Sequence, residues 1–150
     1  MKKKIIACVI ALILLAGATA GVIIAKNRSA ADTAKSYDNL EQANEAADFN
    51  LVGSDRLCGY PQTDYEASSS EVKINYAGGS YVTKTLGETG ESGSYAETSE
   101  QDVDGVTVTL GGEDGKVFFA SWTDNGFSYA ISLASGVDTD EMIEYIKATY

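Results

Sequence analysis

The chain has 150 residues, 44% of them apolar, with one proline, two cysteines, no histidine and a formal net charge of −11 at pH 7. The missing histidine excludes the Ser-His-Asp triad, the Cys-His pair and most zinc sites together. The acidity excludes nucleic-acid binding, which depends on clustered Lys and Arg.

Lys2, Lys3 and Lys4 precede an uncharged, almost wholly apolar run over 5–25. At about 1.5 Å per residue, a helix of that length matches the roughly 30 Å hydrocarbon core of a bilayer. Residues 1–26 therefore read as a signal peptide or a single-pass membrane anchor. Positive flanks stay on the cytoplasmic side, and only Lys26 and Arg28 follow the run, so the amino end lies inside and the remainder outside. Two outcomes stay open. Ala18-Thr19-Ala20 before Gly21 fits the small-residue rule of a signal peptidase, which gives a secreted domain after cleavage at Ala20. The apolar character continues through Val22, Ile23 and Ile24, which gives an uncleaved anchor in the cell membrane. Leu15-Ala16-Gly17 resembles the start of a lipobox, but Ala18 stands where that signal requires cysteine.

Five of the eleven basic residues and none of the acidic ones fall in residues 1–28, so 29–150 hold six basic against 22 acidic residues, a net −16. About 110 orderable residues suffice for one core and not for two, so 38–150 reads as a single domain on a polar tether, 27–37. Cys8 belongs to the apolar run and Cys58 is the other cysteine, so no disulfide can form within the domain. Cys58 reads as a small buried apolar residue, with a bridge to another chain as the alternative.

The predicted elements begin with a helix over 39–47, with Asp38 as N-cap, Glu41 completing a capping box, and Leu40, Ala43 and Ala47 at helical spacing before Phe49. Residues 50–70 are irregular and contain Pro61. The period then changes to two: Val72, Ile74 and Tyr76 alternate with polar residues, and Gly78-Gly79 turns the chain into a strand over 80–86. A polar loop over 87–93 leads to a polar strand over 95–103, then to strands over 106–110, 116–122 and 127–133. Asp114-Gly115 and Asn125-Gly126 are the turn signals between the last three. A type I′ turn at Asn125-Gly126 pairs Trp122 with Tyr129, Ala120 with Ile131 and Phe118 with Leu133 on one side, which reads as the core. The other side carries Val117, Phe119, Ser121, Ser128, Ala130 and Ser132. A closing helix starts at Asp138 as N-cap, with Glu141 at N3, a Val137–Met142 staple, and Met142, Ile143, Ile146 and Tyr150 as its apolar stripe. Helix, antiparallel meander, helix is an α+β arrangement, with both helices on one face of a curved sheet.

No motif in this pattern specifies a reaction. Gly111-Gly112-Glu113-Asp114-Gly115-Lys116 has the flavour of a phosphate loop but is one residue short of the P-loop spacing, lacks the following Ser or Thr, and sits between strands. The carboxylate pairs Asp102 with Asp104, Glu113 with Asp114, Asp138 with Asp140 and Glu141 with Glu144 could serve a hydrolase, yet each has a duller reading as turn, cap or solvated helix face. Calcium at Asp102-Val103-Asp104-Gly105 lacks the further oxygen ligands of an EF-hand. Cys58, with only Arg56 near it in sequence to lower its pKa, is a poor nucleophile. No catalytic, cofactor-binding or metal residue is assigned.

Gly115-Lys116-Val117, the stretch 120–129 (ASWTDNGFSY) and Asp140-Glu141-Met142 resemble the carboxy-terminal half of a bacterial domain family of unknown function, one that recurs in membrane-anchored proteins of Gram-positive bacteria. The resemblance extends more loosely through Ile74-Asn75-Tyr76, Ser92-Gly93-Ser94-Tyr95 and Gly105-Val106-Thr107-Val108 back to about residue 39, with Ser94 where an acidic residue is expected. It implies a fold similar to the lipoprotein-carrier and sigma-regulator sensor type, a curved antiparallel sheet with helices against its concave face, and it brings no functional site. Three functions follow as expectations. The first is a non-catalytic, extracytoplasmic module that binds a protein, peptide or envelope component, with the membrane as its other partner and no cofactor. The second is a carrier or sensor of an apolar, lipid-like ligand in the hollow of the sheet, near Phe119, Val117, Met142 and Ile146. The third is a carboxylate-dependent hydrolase. If the Lys2–Lys4 flank sets the topology, a cysteine introduced at Thr33 reacts with a membrane-impermeant maleimide on intact cells, and protection until lysis reverses the orientation.

Overall fold

The computed structural model describes residues 33–87 and 93–149; the expected membrane segment and Tyr150 of the closing stripe lie outside them. No helix among the described residues is long and apolar enough to cross a membrane. In chain order the elements are β1 (Lys35–Tyr37), α1 (Leu40–Ala47), β2 (Arg56–Leu57), β3 (Tyr60–Ala67), β4 (Glu71–Tyr76), β5 (Tyr81–Leu86), β6 (Glu97–Val103), β7 (Val106–Glu113), β8 (Lys116–Asp124), β9 (Phe127–Val137) and α2 (Thr139–Lys147). The strands form one open, curved antiparallel sheet in the order β1-β3-β4-β5-β9-β8-β7-β6, with β2 paired to β3 alongside β1. This is the α+β architecture that the change of period implied.

Two-residue turns make the sheet. Cys58-Gly59, Asp104-Gly105, Asp114-Gly115 and Asn125-Gly126 each hold both central residues at positive φ (49/80, 52/87, 53/70 and 49/82°), the type I′ pattern whose twist matches that of the flanking strands. The connection that breaks the run of neighbouring strands follows β5. Its next neighbour in space is β9, so the chain crosses to the far edge and returns strand by strand through β6, β7 and β8.

Register places the core. Ile74, Val82, Ile131, Ala120 and Leu110 lie in one row across five strands, all buried, and Val72, Tyr129 and Trp122 continue the same face in the next row. Ala43 and Ala47 of α1, Met142 and Ile146 of α2, and Leu51 and Leu57 from the connection join them in a single apolar cluster. Both helices therefore cover one face. The other face is buried at its centre too, at Thr83, Ser128, Ala130 and Phe119. Tyr95 stacks on Phe119 at 5.6 Å between ring centroids and also covers Gly111, where an added Cβ would come within 2.3 Å of the tyrosine ring.

Several expectations are corrected. The N-cap of α1 is Asn39, whose side chain accepts the Gln42 N–H at 3.0 Å, and not Asp38. Asp138 occupies the N-cap position of α2 but makes no side-chain cap; its carboxylate holds the Lys116 ammonium at 2.7 Å. Residues 35–37, read as tether, pair with β3, and the irregular 50–70 stretch contains β2 and β3. Pro61 fits near the start of β3 because its carbonyl accepts from Ala77, and the register shifts just after it. Phe118 does not pair with Leu133. The β8–β9 register shifts between Val117 and Phe119, so Val117 pairs with Val137 and joins the core, while the Phe118 ring packs where a Cβ on Gly136 would stand.

Trp122 and Tyr129 pair as expected, with rings parallel to within 1° and centroids 5.1 Å apart, and Trp122 is 4% exposed. Truncating a buried tryptophan costs about 3–5 kcal/mol. Trp122→Ala is therefore expected to lower the melting temperature steeply; an unchanged melting temperature would show that the indole is not part of the core.

Candidate functional site

The acidic pairs read from the sequence are dispersed into structural roles. Asp104 and Asp114 are first residues of I′ turns, and the Asp102 carboxylate accepts the Gly105 N–H at 3.1 Å, closing the turn between β6 and β7. Glu113 sits opposite Lys116 in the β7–β8 ladder, Asp138 is bound to Lys116, and Glu144 lies 3.7 Å from Lys147. Glu141 accepts from the Tyr145 hydroxyl at 2.5 Å. Paired carboxylates can act on a glycosidic bond only if they face one substrate. These do not share a cleft. Among the described residues, no group of three or more Cys, Asp or Glu stands close enough to hold a metal ion.

Cys58 lies at the tip of the β2–β3 hairpin, in the left-handed region and only partly buried, which corrects its reading as a core residue. Its N–H donates to the Tyr145 hydroxyl at 3.0 Å and its thiol donates to the Ser135 carbonyl at 3.4 Å. Burial first, and then the Glu141 carboxylate, push the thiol pKa up, against a smaller opposing effect of the Ser135 carbonyl. Burial, followed by the hydrogen bond to Glu141, pushes Tyr145 up to about 12. Both shifts favour the protonated thiol and hydroxyl. The cluster anchors the hairpin to α2 and disfavours a thiolate nucleophile.

The residues proposed to surround an apolar ligand are not brought together. Val117, Met142 and Ile146 are packed into the core cluster, whereas Phe119 is on the opposite face under Tyr95. An open groove of about 660 Å³ lies beside α1, lined by Leu40, Glu41, Glu45, Asp48, Phe49 and Val52 among others. Its wall is a segment without regular structure, fixed by the Asn44 amide. That side chain accepts the Leu51 N–H at 3.0 Å and donates to the Leu51 carbonyl at 3.1 Å. Val52 is 50% exposed on this wall.

The second surface is the free edge of the sheet. All of β6 except Val103 is exposed, and its ladder with β7 runs through seven consecutive pairs without a bulge. Among the described residues, no strand pairs with its outer side. The sequence located this strand but not its place; the absence of any apolar alternation from Glu97 to Asp102 is the signal that marks an edge. Compared with protein-family models, curated proteins and solved structures, the chain matches none.

Replacing Glu141 by Gln removes the charge that raises the Cys58 pKa while retaining an acceptor for Tyr145. In a Cys8→Ser background, Glu141→Gln is expected to shift the pH profile of iodoacetamide alkylation at Cys58 to lower pH, with faster reaction at pH 8. An unmoved or upward-shifted profile would exclude coupling between this carboxylate and the thiol.

Proposed function

We propose that the protein is a non-catalytic, extracytoplasmic binding module, attached to the membrane by its amino-terminal segment or released by cleavage after Ala20, which engages a protein, peptide or envelope component through its surface. The observation that carries this reading is the filled, helix-covered face of the sheet. Ile74, Ile131, Met142 and Ile146 have no accessible surface there, and α1 and α2 close over them. A carrier of a drug-sized apolar molecule needs a cavity of several hundred Å³ that buries most of its ligand. The groove beside α1 has the volume, about 660 Å³, but it is open and lined in part by Glu41, Glu45 and Asp48. An apolar tail gains little in such a groove, whereas a side chain or segment of a partner can enter it. The likeness to the membrane-anchored family belongs to the same proposal, as do the orientation given by Lys2–Lys4 and the strongly acidic exterior.

The competing carrier reading is tested on residues 33–150 labelled at the Ile and Met methyl groups. Titration with a medium-chain fatty acid is expected to leave the methyl resonances of Ile74, Ile131, Met142 and Ile146 unmoved. Saturable shifts of these four at one equivalent would establish an internal apolar site and replace surface binding with transport or lipid sensing.

A further inference from the structure

We propose that the outer edge of β6 receives an extended, Lys- or Arg-bearing segment of a partner protein as a tenth strand of the sheet. This rests on the binding-module reading and assigns it a surface and a partner chemistry.

The Asp104-Gly105 turn fixes which backbone groups are available. In a two-residue hairpin the residues flanking the turn, here Val103 and Val106, exchange both ladder hydrogen bonds, and the pattern alternates from there. Val103, Gln101, Ser99 and Glu97 thus spend their N–H and C=O on β7. Those of Asp102, Glu100 and Thr98 point away from the sheet. Outward donors and acceptors at every second residue of a straight, exposed strand are the template that strand addition uses.

Natural sheets usually guard such an edge with charged side chains, proline, a bulge or brevity. Of these β6 has charge alone, and all of it negative: its sequence is ETSEQDV and its register is unbroken. The opposite edge differs, because β1 is three residues long and begins with Lys35.

Charge then selects the occupant. Glu100 and Asp102, two residues apart, present their side chains on the same face, next to Thr109 and Thr107 of β7. The described salt bridges are Lys116–Asp138 and Lys147–Glu144, so no described cation neutralises these two carboxylates. Glu97, on the other face, accepts the Gly115 N–H at 3.2 Å. A second copy adding its own β6 would bring like charges into direct opposition, which destabilises a cross-strand pair. A strand with Lys or Arg at alternate positions places cations opposite Glu100 and Asp102 while its backbone completes the ladder.

The test uses the full chain in detergent micelles and, as probe, a short capped peptide alternating Lys and Val, with a Glu-for-Lys peptide as control. Hydrogen exchange at the Thr98, Glu100 and Asp102 amides is expected to slow about tenfold or more with the Lys peptide, with Ser99 and Gln101, already bonded to β7, changing little. The Glu peptide is expected to leave all five unchanged. Glu100→Pro removes an outward N–H that β7 does not use, and is expected to weaken the Lys peptide at least about tenfold, equivalent to a tenfold change in Kd. The double substitution Glu100→Lys with Asp102→Asn keeps every N–H and an acceptor for the Gly105 N–H while removing both carboxylates and adding a cation, and is expected to abolish binding even if the proline variant loses its fold. Equal affinity for wild type and the double variant would overturn the proposal. So would slowing of the three amides without peptide, together with a dimer in sedimentation, which would assign the edge to a second copy. Peptide-dependent shifts confined to Asp48 and Val52 would also overturn it, moving the contact to the groove beside α1 and leaving the binding-module reading standing.

Discussion

The structure depends on the pairing of β9 with strands from both halves of the chain. β9 takes β8 through the Asn125-Gly126 turn and β5 through a connection that spans most of the sheet, so Ile131 sits between Ala120 and Val82 with no accessible surface. A local contact and a distant one must agree in register at the same residue. Side chains alternate with a period of two, so a slip of one position in either ladder would move Ile131 and Tyr129 to the opposite face and bring Ser128 and Ala130 under the helices. The short turn sets the first register at little entropic cost, and the buried row then holds the second.

One lysine shows how the core face ends and the groove begins. Lys84 occupies the core face between Val72 and Tyr129, where an alkyl chain can pack but an ammonium needs partners. It donates to the Asn50 carbonyl at 2.6 Å and lies 4.4 Å from the Phe127 ring centroid and 5.3 Å from that of Tyr129. Phe49 stands against Phe127 at 5.0 Å. The same polar links that satisfy the cation pin residues 49–51, and Asn44 pins Leu51 from the helix side. Further on, the Tyr76 hydroxyl donates to the Ser54 carbonyl at 2.7 Å. A segment with no regular structure is thereby held at several points, and the groove beside α1 has a fixed wall although no strand or helix forms it.

What the sequence made legible followed the residues that carry local physics. Asn-Gly and Asp-Gly declare a type I′ turn because both tolerate positive φ, so the β8–β9 hairpin and its Trp122–Tyr129 pair could be read in advance. Cys-Gly adopts the same conformation at residues 58 and 59, but cysteine has no such preference, and the β2–β3 hairpin was invisible. β3 itself is hidden by Pro61 and by polar residues on both faces, and on one side it is held by β1, which lies before α1 in the chain. The shift that carries Val117 into the core and breaks the Phe118–Leu133 pairing depends on the packing of Phe118 over Gly136, a contact that no local pattern encodes. Of the candidate site, the acidic residues of β6 were visible as composition. Their place at an unpaired edge required the strand order.

That strand order also gives the acidity a distribution. The six basic residues outside the amino-terminal segment, Lys35, Arg56, Lys73, Lys84, Lys116 and Lys147, fall on β1, β2, β4, β5, β8 and α2, and none falls on β6 or β7. Solubility alone would be served by carboxylates anywhere on the surface. Placing Glu97, Glu100, Asp102, Asp104 and Glu113 on the two strands at one edge and their turn, with no basic residue among them, does something more specific, because the field of exposed charges is screened over about 8 Å at physiological ionic strength. Beyond that distance β6 differs little from the rest of an acidic surface. Within it, the approach of another acidic edge is penalised and that of a cationic one favoured. The charge therefore acts at contact, as a filter on which strand may complete the sheet, and an edge that would otherwise invite pairing with any extended chain can stay open without becoming a site of self-association.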